Sequence, residues 1–141
     1  MEKFIEIAKK ASEHAYCPHS GYSVGACLVC QDRNRWYTGC NIENSSFGAT
    51  LCAERVAFVK ALSEGERFFS ELIIYARNFS PDSHTLPYPC GMCLQFMSEF
   101  VDQNFEITVV GTGPDGDVTE SFTFKDLMPR TFSFSKEDKN G

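Results

Sequence analysis

Apolar side chains recur every three or four positions in three parts of the chain, a spacing that is typical of amphipathic helices. This spacing predicts helices over residues 2–16, 51–63 and 91–101. Shorter stretches that are apolar throughout, or that alternate apolar with polar residues, are typical of strands. They predict strands over residues 22–29, 36–40, 72–76, 107–110 and 121–124.

Helices and strands alternate along the chain, which favours an α/β sandwich with a mixed sheet. A polar turn at residues 31–34 joins the first two strands into an antiparallel hairpin, and we expect helical crossovers to reach the later strands. The apolar run at 72–76 is typical of a central strand buried on both faces. Gly65 is a natural end for the second helix. Residues 1–135 are expected to form one domain, followed by a frayed polar tail at 136–141.

The composition indicates a globular chain without a membrane segment. With 141 residues, 43% of them hydrophobic and 23% charged, the chain is long enough to bury a core without disulfide bonds. No apolar run approaches the roughly 20 residues that a membrane span needs, and the opening segment is amphipathic, unlike a signal peptide. We therefore expect a cytoplasmic protein with no membrane partner.

The charge balance argues against nucleic acid as a partner. The net charge is −6 and the pI is near 5.0, and the sequence has no stripe of basic residues. Binding to phosphates usually depends on concentrated lysine and arginine. A small neutral or cationic substrate is compatible with this balance.

Four of the seven cysteines form two Cys-x-x-Cys pairs, which fall in different predicted elements. Cys27 and Cys30 fall on a strand, where residues three apart lie on opposite faces and about 10 Å apart along the chain. Sulfurs that share a zinc ion lie within about 4 Å of each other, so we expect this pair to be buried apolar filler. A redox pair or a second metal site is the alternative. Cys90 and Cys93 follow Pro89 at a turn into a helix, where two sulfurs can converge on one ion.

Cys52, at the start of another predicted helix, offers a third thiolate to the zinc ion of Cys90 and Cys93. Three protein ligands leave the fourth position open to water, which is the arrangement of catalytic zinc sites. A purely structural site would need a fourth protein ligand, for which the candidates are His14, His19 and His84. The pattern therefore favours hydrolysis over a structural zinc module.

Two residues next to Cys52 are expected to complete the chemistry. Glu54 is close enough to a ligand to act as general acid and base on the activated water, although it could serve only the helix dipole. Arg55 is expected to offset the excess thiolate charge by hydrogen bonding to sulfur, a role that supports the ligands without binding the metal. A solvated surface arginine is the alternative for Arg55.

The motifs Cys52-Ala53-Glu54-Arg55 and Pro89-Cys90-Gly91-Met92-Cys93 resemble those of the cytidine deaminase family, and closely its small homotetrameric type. Further matches in the family's order are Val24-Gly25-Ala26, Gly39-Cys40-Asn41-Ile42-Glu43-Asn44 and Leu127-Met128-Pro129-Arg130-Thr131-Phe132. The resemblance covers about residues 10–134. It implies a single catalytic domain, a three-layer α/β/α sandwich with a mixed five-stranded sheet, one Zn²⁺ per subunit and a homotetramer.

The resemblance also implies how a nucleoside binds. Asn41 and Glu43 would hydrogen-bond a ribose hydroxyl, and Tyr22 would pack on the base in a pocket that includes Ala53. Contacts to the site of a neighbouring subunit are expected from Ser45, Phe47 and Phe132. Without the family, Asn41 and Glu43 are polar residues at a strand end, and Phe132 is a buried aromatic anchor.

The expected reaction is the hydrolytic deamination of cytidine, 2′-deoxycytidine or both to the uridine product and ammonia, a step of pyrimidine salvage. The family's usual residues are replaced at several positions, among them Tyr22, Ser23, Phe47 and Leu94. A zinc deaminase of another amino-heterocycle or nucleoside analogue is therefore the alternative. An editing deaminase shares the zinc motif, but the acidic chain offers no path for a nucleic-acid strand.

Overall fold

The computed structural model describes residues 2–80, 82 and 84–134. The helices are α1 (Glu2–Ser12), α2 (Ala53–Ser63), α3 (Gly91–Ser98) and α4 (Phe124–Leu127), with a short 3-10 helix at Phe47–Ala49. The strands are β1 (Val24–Cys30), β2 (Trp36–Cys40), β3 (Phe69–Ala76), β4 (Glu106–Gly113) and β5 (Gly116–Thr123).

The strands of the described part of the chain form one sheet in the spatial order β2-β1-β3-β4-β5. Strands β3 and β4 are parallel because α3 carries the chain back across the sheet between them, and the other neighbouring pairs are antiparallel. Strand β3 lies in the middle and is buried along almost its whole length. The predicted mixed five-stranded sheet and its central strand are confirmed.

Helices cover both faces of the sheet. Helix α1 packs on one face, where Phe4 and Ala8 join a buried cluster with Cys27 and Val29. Helices α2 and α3 pack on the other face, around the fully buried ring of Phe58. The arrangement is the predicted three-layer α/β/α sandwich.

A glycine on each of two neighbouring strands allows a helix to lie directly on the sheet. A Cβ atom at Gly39 would lie 2.2 Å from the Ala53 carbonyl oxygen and 2.6 Å from the Ala57 nitrogen of α2. A Cβ atom at Gly25 would lie 2.1 Å from the Ala8 carbonyl oxygen of α1. Contacts this short do not occur in folded proteins, so any larger residue would push the helix away. The contact at Gly39 fixes the height of the first turn of α2 above the sheet.

Several predicted boundaries are wrong. Helix α1 ends at Ser12 and does not continue to residue 16, because the Tyr16 backbone leaves the helix to pair with Ile42. Helix α3 ends at Ser98, three residues earlier than predicted. Strand β1 begins at Val24 and therefore excludes Tyr22.

The last strand also differs from its prediction. Strand β5 begins at Gly116, five residues before the predicted start at 121, and it is joined to β4 by a tight hairpin turn in place of a helical crossover. The turn uses Gly116 at φ 109°, a conformation that favours glycine. Phe124, predicted to end this strand, begins α4 and is buried. The predicted polar tail at 136–141 lies outside the described residues.

Within the described ranges, every helix is too short or too polar to cross a membrane.

Candidate metal centre and active site

Three cysteine sulfurs converge where two helices begin. Cys52 immediately precedes α2, Cys90 immediately precedes α3, and Cys93 lies in the first turn of α3. Their Sγ atoms all lie within 4.8 Å of one another, and those of Cys90 and Cys93 are 3.6 Å apart. Sulfurs bound to one tetrahedral zinc ion at about 2.3 Å are separated by roughly 3.8 Å. The three thiols therefore fit a zinc ion in both donor type and spacing.

The local field favours negative charge on these sulfurs. Both helix N-termini direct their positive dipole ends at the cluster. The pKa of Cys52 is lowered to about 5, first by a hydrogen bond from the Cys93 thiol and then by Arg55. The same hydrogen bond, together with burial, holds the pKa of Cys93 far above its usual range. The cluster thus stabilises at least one thiolate before any metal binds.

Arg55 supplies the cation of this cluster. Its Nη2 atom donates to the Thr50 carbonyl oxygen at 3.0 Å and lies 3.9 Å from the Cys52 sulfur. Its Nε is buried and has no hydrogen-bond partner among the described residues. A guanidinium held in this way cannot be the solvated surface arginine that the sequence left open.

Glu54 is buried beside the cysteine cluster, with only 5% of its surface exposed. Burial and, to a smaller extent, the nearby charge of Cys52 together raise the pKa of its carboxyl group to about 7. A glutamate that only stabilised the helix dipole would gain nothing from being buried. A carboxyl group with a pKa near neutrality can both accept and donate a proton at physiological pH.

A cavity of about 270 Å³ opens over Glu54 and the cysteines. Four predicted substrate-binding residues line it: Tyr22, Asn41, Glu43 and Ala53. Cys52 and Cys90 lie in its wall with Glu54, so a molecule in the cavity reaches the cluster directly. The fold thus brings residues from four separate segments of the chain to one site.

The polar residues of the cavity are held by backbone groups. The Asn41 side chain donates to the Tyr22 carbonyl oxygen at 2.8 Å and accepts from the Val24 N–H at 2.9 Å. The Glu43 carboxylate accepts from the backbone N–H groups of His19 and Ser20 at 2.9 and 3.1 Å, and from the Ser20 hydroxyl. These bonds lower the pKa of Glu43, so it stays ionised.

The ring of Tyr22 forms an aromatic wall with a histidine. Its centroid lies 4.8 Å from that of His84, with 30° between the two planes. His84 is fixed in turn, because its Nδ1 accepts a hydrogen bond from the Ser80 backbone N–H at 3.2 Å. Burial raises the pKa of the Tyr22 hydroxyl, so the ring stays neutral.

Other predicted site residues lie away from this cavity. Phe47 is 77% exposed and Phe132 is 65% exposed, so Phe132 is not a buried anchor within the chain. Ser45 is also exposed. Contacts of these three residues with a neighbouring subunit stay a prediction.

The remaining cysteines and the histidines do not join the cluster. Cys27 packs under α1 and Cys30 under α2, on opposite faces of β1 as expected. Burial raises the pKa of Cys27 to about 12 and that of Cys30 to about 11, so both stay protonated. In the described part of the chain, no histidine completes a four-ligand site.

Half of the residues that line the cavity were not predicted from the sequence. These residues are Ser20, Val24, Thr50, Leu51, Ile74, Pro87 and Tyr88. Thr50, Leu51, Pro87 and Tyr88 could have been predicted, because residues one to three positions before a metal ligand must lie close to the metal. Ile74 reaches the cavity from a strand that is distant from the ligands in sequence.

Comparisons with known proteins agree with this geometry. Residues 1–109 match the family model described as the cytidine and deoxycytidylate deaminase zinc-binding region. The chain is 45% identical to a cytidine deaminase of Sporosarcina psychrophila over 138 residues, covering 98% of this chain and 93% of the relative. It is 41% identical to a probable cytidine deaminase of Dictyostelium discoideum, covering 94% of this chain and 84% of the relative.

The fold agrees as well. The crystal structure of a cytidine deaminase from Burkholderia pseudomallei superimposes with a TM-score of 0.80 at 37% identity, covering 93% of this chain and 98% of the other. The family model spans most of the chain, including the segments that bring the cysteines, Glu54 and the cavity together. The chain belongs to the cytidine and deoxycytidylate deaminase family.

Proposed function

We propose that this protein catalyses the hydrolytic deamination of cytidine, 2′-deoxycytidine or both, releasing the uridine nucleoside and ammonia. One observation carries the proposal: three zinc-binding sulfurs and the buried carboxyl group of Glu54 meet at one end of a cavity of about 270 Å³. The similarity to proteins named cytidine deaminase supports the choice of substrate.

Cys52, Cys90 and Cys93 would hold the zinc ion. Three protein sulfurs, with no fourth protein ligand among the described residues, suit a catalytic zinc rather than a structural one. When bound, zinc supplies the Lewis acidity that activates a water molecule at neutral pH. Arg55 offsets part of the charge of three thiolates, which would otherwise weaken that activation.

Glu54 moves the protons of the reaction. Its carboxylate accepts a proton from the attacking water and delivers it to N3 of the base. It then accepts a second proton, from the hydroxyl group that the water has left on the reacting carbon, and delivers it to the departing amino group. The raised pKa suits both directions of transfer, because the neutral and ionised forms are then close in free energy at neutral pH. One residue thus serves as base and as acid.

Asn41 and Glu43 would bind and orient the sugar. Their side chains are fixed by backbone groups, so a ribose hydroxyl meets polar atoms that are already in place. Tyr22 would pack against the base, and its contact with His84 limits the movement of that ring. Such preorganisation lowers the entropic cost of binding.

We further propose that the protein is a cytoplasmic homotetramer. The exposed rings of Phe132 and Phe134 pack edge-on against each other with 5.5 Å between centroids, and contiguous exposed aromatic surface of this kind supports assembly. Phe47 is exposed as well. Free cysteines, including the zinc cluster, suit a reducing compartment. Light scattering coupled to size-exclusion chromatography measures the subunit number, and a monomeric mass would contradict assembly.

A substrate panel tests the proposed function. Zinc-loaded protein is mixed in turn with cytidine, 2′-deoxycytidine, cytosine and guanine, and ultraviolet absorbance follows the loss of each amino group. Protein stripped of zinc by a chelator is the control. Turnover of cytidine or deoxycytidine supports the proposal. Turnover of another base without loss of cytidine would favour a deaminase of a different amino-heterocycle.

A further inference from the structure

An aromatic residue absent from the predicted site forms part of the cavity wall beside the metal centre. Tyr88 lines the cavity together with Pro87 and Cys90. Its backbone N–H donates to the Leu86 carbonyl oxygen at 2.7 Å, which closes a tight turn at Pro87. Prolines on both sides restrict the backbone, so the direction of the Tyr88 ring depends on contacts of its side chain.

Those contacts come from the edge strand of the sheet. The Tyr88 hydroxyl donates a hydrogen bond to the Glu120 carboxylate on β5. The ring also packs edge-on against Phe122, with 5.7 Å between centroids and 62° between planes. Glu120 and Phe122 are two positions apart on the strand, so they face the same side of the sheet as α3. The hydrogen bond raises the pKa of Tyr88, which keeps the hydroxyl protonated as a donor.

The place of Tyr88 in the chain fixes which part of a substrate it meets. Two residues span at most about 7 Å, so Tyr88 lies close to the metal ligand Cys90. In the proposed binding mode the carbon that loses its amino group lies at the metal, whereas Asn41 and Glu43 bind the sugar, and Ser20 lines the cavity beside Glu43. The Tyr88 ring therefore borders the heterocycle and not the sugar.

We propose that Tyr88 is a specificity-determining residue that limits substituents on the heterocycle next to the reacting carbon, and that Glu120 is the positioning residue that holds its ring. This inference rests on the proposed cytidine deaminase activity. Cytidine fits against the wall, and a methyl group at C5 of the base collides with it. The edge strand β5, far from the metal ligands in sequence, thereby controls the shape of the cavity.

Two single substitutions test the hydrogen bond between Tyr88 and Glu120 while keeping the Tyr88 ring. Tyr88→Phe keeps the ring and removes only the hydroxyl, and Glu120→Ala removes the acceptor. Loss of one hydrogen bond predicts that either change raises KM for cytidine about three- to tenfold with kcat nearly unchanged. The KM of the double variant should not exceed that of the single variant with the higher KM, since both changes remove the same hydrogen bond. Thr119→Ala, on the opposite face of β5, is the matched control and should leave KM unchanged.

Removing the ring tests the specificity itself. Tyr88→Ser should raise the efficiency for 5-methylcytidine relative to cytidine by about tenfold or more, because a pocket discriminates one methyl group by that order. Zinc content and melting temperature are measured for every variant, and a purely structural role of Tyr88 would change these without changing the ratio between the two substrates.

The outcomes distinguish this inference from the function on which it rests. Dissociation constants for cytidine and 5-methylcytidine are also measured by calorimetry in the Glu54→Gln background, where turnover is not needed. A wild-type protein that binds but does not deaminate cytidine contradicts the proposed function, and a relaxed preference in Tyr88→Ser still supports the role of the wall. Unchanged preference in Tyr88→Ser, or additive effects of Tyr88→Phe and Glu120→Ala, overturns the inference.

Discussion

The guanidinium of Arg55 lies against the sulfur of Cys52, with 3.9 Å between Nη2 and Sγ. The same nitrogen donates to the Thr50 carbonyl oxygen at 3.0 Å, so the cation cannot swing away into solvent. A cluster of three thiolates with one zinc ion carries a net charge of about −1, and a fixed cation reduces that charge where the metal binds. Arg55 and Cys52 are therefore expected to act together in metal binding.

Replacing Arg55 should make zinc binding more sensitive to acid. Arg55 helps to lower the pKa of Cys52, so its loss raises that pKa and lets protons compete with the metal at a higher pH. For Arg55→Gln we expect the pH of half-maximal zinc release to rise by about one unit. Atomic absorption after dialysis across a pH series measures this midpoint. Arg55→Lys keeps the charge and should shift the pH of half-maximal zinc release less. Identical midpoints for the wild type and both variants would refute the role of Arg55 in metal binding.

Glu54→Gln should abolish most of the activity while leaving the metal in place. The amide cannot accept a proton from water, so turnover of cytidine should fall by at least about 10²- to 10⁴-fold. Steady-state kinetics on protein with a measured zinc content give the comparison. Turnover equal to that of the wild type would show that Glu54 is not the acid and base.

The same substitution should stabilise the metal-free protein at high pH. Burial raises the pKa of Glu54 from 4.5 to about 7, so folding favours the neutral carboxyl group. The contribution of Glu54 to the free energy of unfolding is therefore complete below pH 4.5 and is lost as the pH rises through about 7. At pH 8, metal-free Glu54→Gln should exceed the wild type in free energy of unfolding by about 3 kcal/mol. Urea unfolding at pH 5 and pH 8 measures the difference, which should be larger at the higher pH. A difference that does not change with pH would argue against a buried, neutral Glu54.

Single cysteine substitutions should divide into two classes. Alanine at position 52, 90 or 93 removes one of three converging sulfurs, so each variant should lose its zinc. Cys27→Ser is the matched control, because Cys27 is buried on the opposite side of the sheet from α2. It is expected to keep one zinc ion per chain despite some loss of stability. If the alanine variant at position 52, 90 or 93 retains one equivalent of zinc by atomic absorption, the cysteine at that position is excluded as a ligand.

Gly39→Ala should damage the metal centre through the backbone. The added methyl group would meet the Ala53 carbonyl oxygen at 2.2 Å, which forces the first turn of α2 away from the sheet. Overpacking of this kind costs about 1–3 kcal/mol, and here it also displaces the helix start that carries Cys52 and Glu54. Thermal unfolding and zinc content measure the two effects. Gly48→Ala, with no atom within 4 Å of the added carbon, is the control, and equal behaviour of both variants would refute the packing argument.

Much of the architecture follows from local patterns. Apolar periodicity located α1, α2, α3 and every strand, because burial on one face imposes a regular spacing, but it assigned the start of α4 to a strand. It misplaced the ends where long-range pairing overrides that spacing. Tyr16 leaves α1 because its backbone pairs with Ile42, a partner that no local pattern names. The β4–β5 hairpin was missed because β5 is mostly exposed and polar, so its start carries little apolar signal.

Residue types and their spacing along the chain were enough to predict the chemistry of this protein. Cys52, Glu54, Cys90 and Cys93 predict a catalytic zinc site by residue type and spacing, since few donor sets hold zinc and leave one position open. The surroundings of that site depend on how the sheet and helices pack. That packing buried Glu54, fixed Arg55 against Cys52, and placed Tyr88 in the cavity wall with its hydroxyl hydrogen-bonded to Glu120 of β5. The physical reason is that ligand spacing is local along the chain, whereas burial, charge and cavity shape arise from segments that meet only when the sheet and its helices pack together.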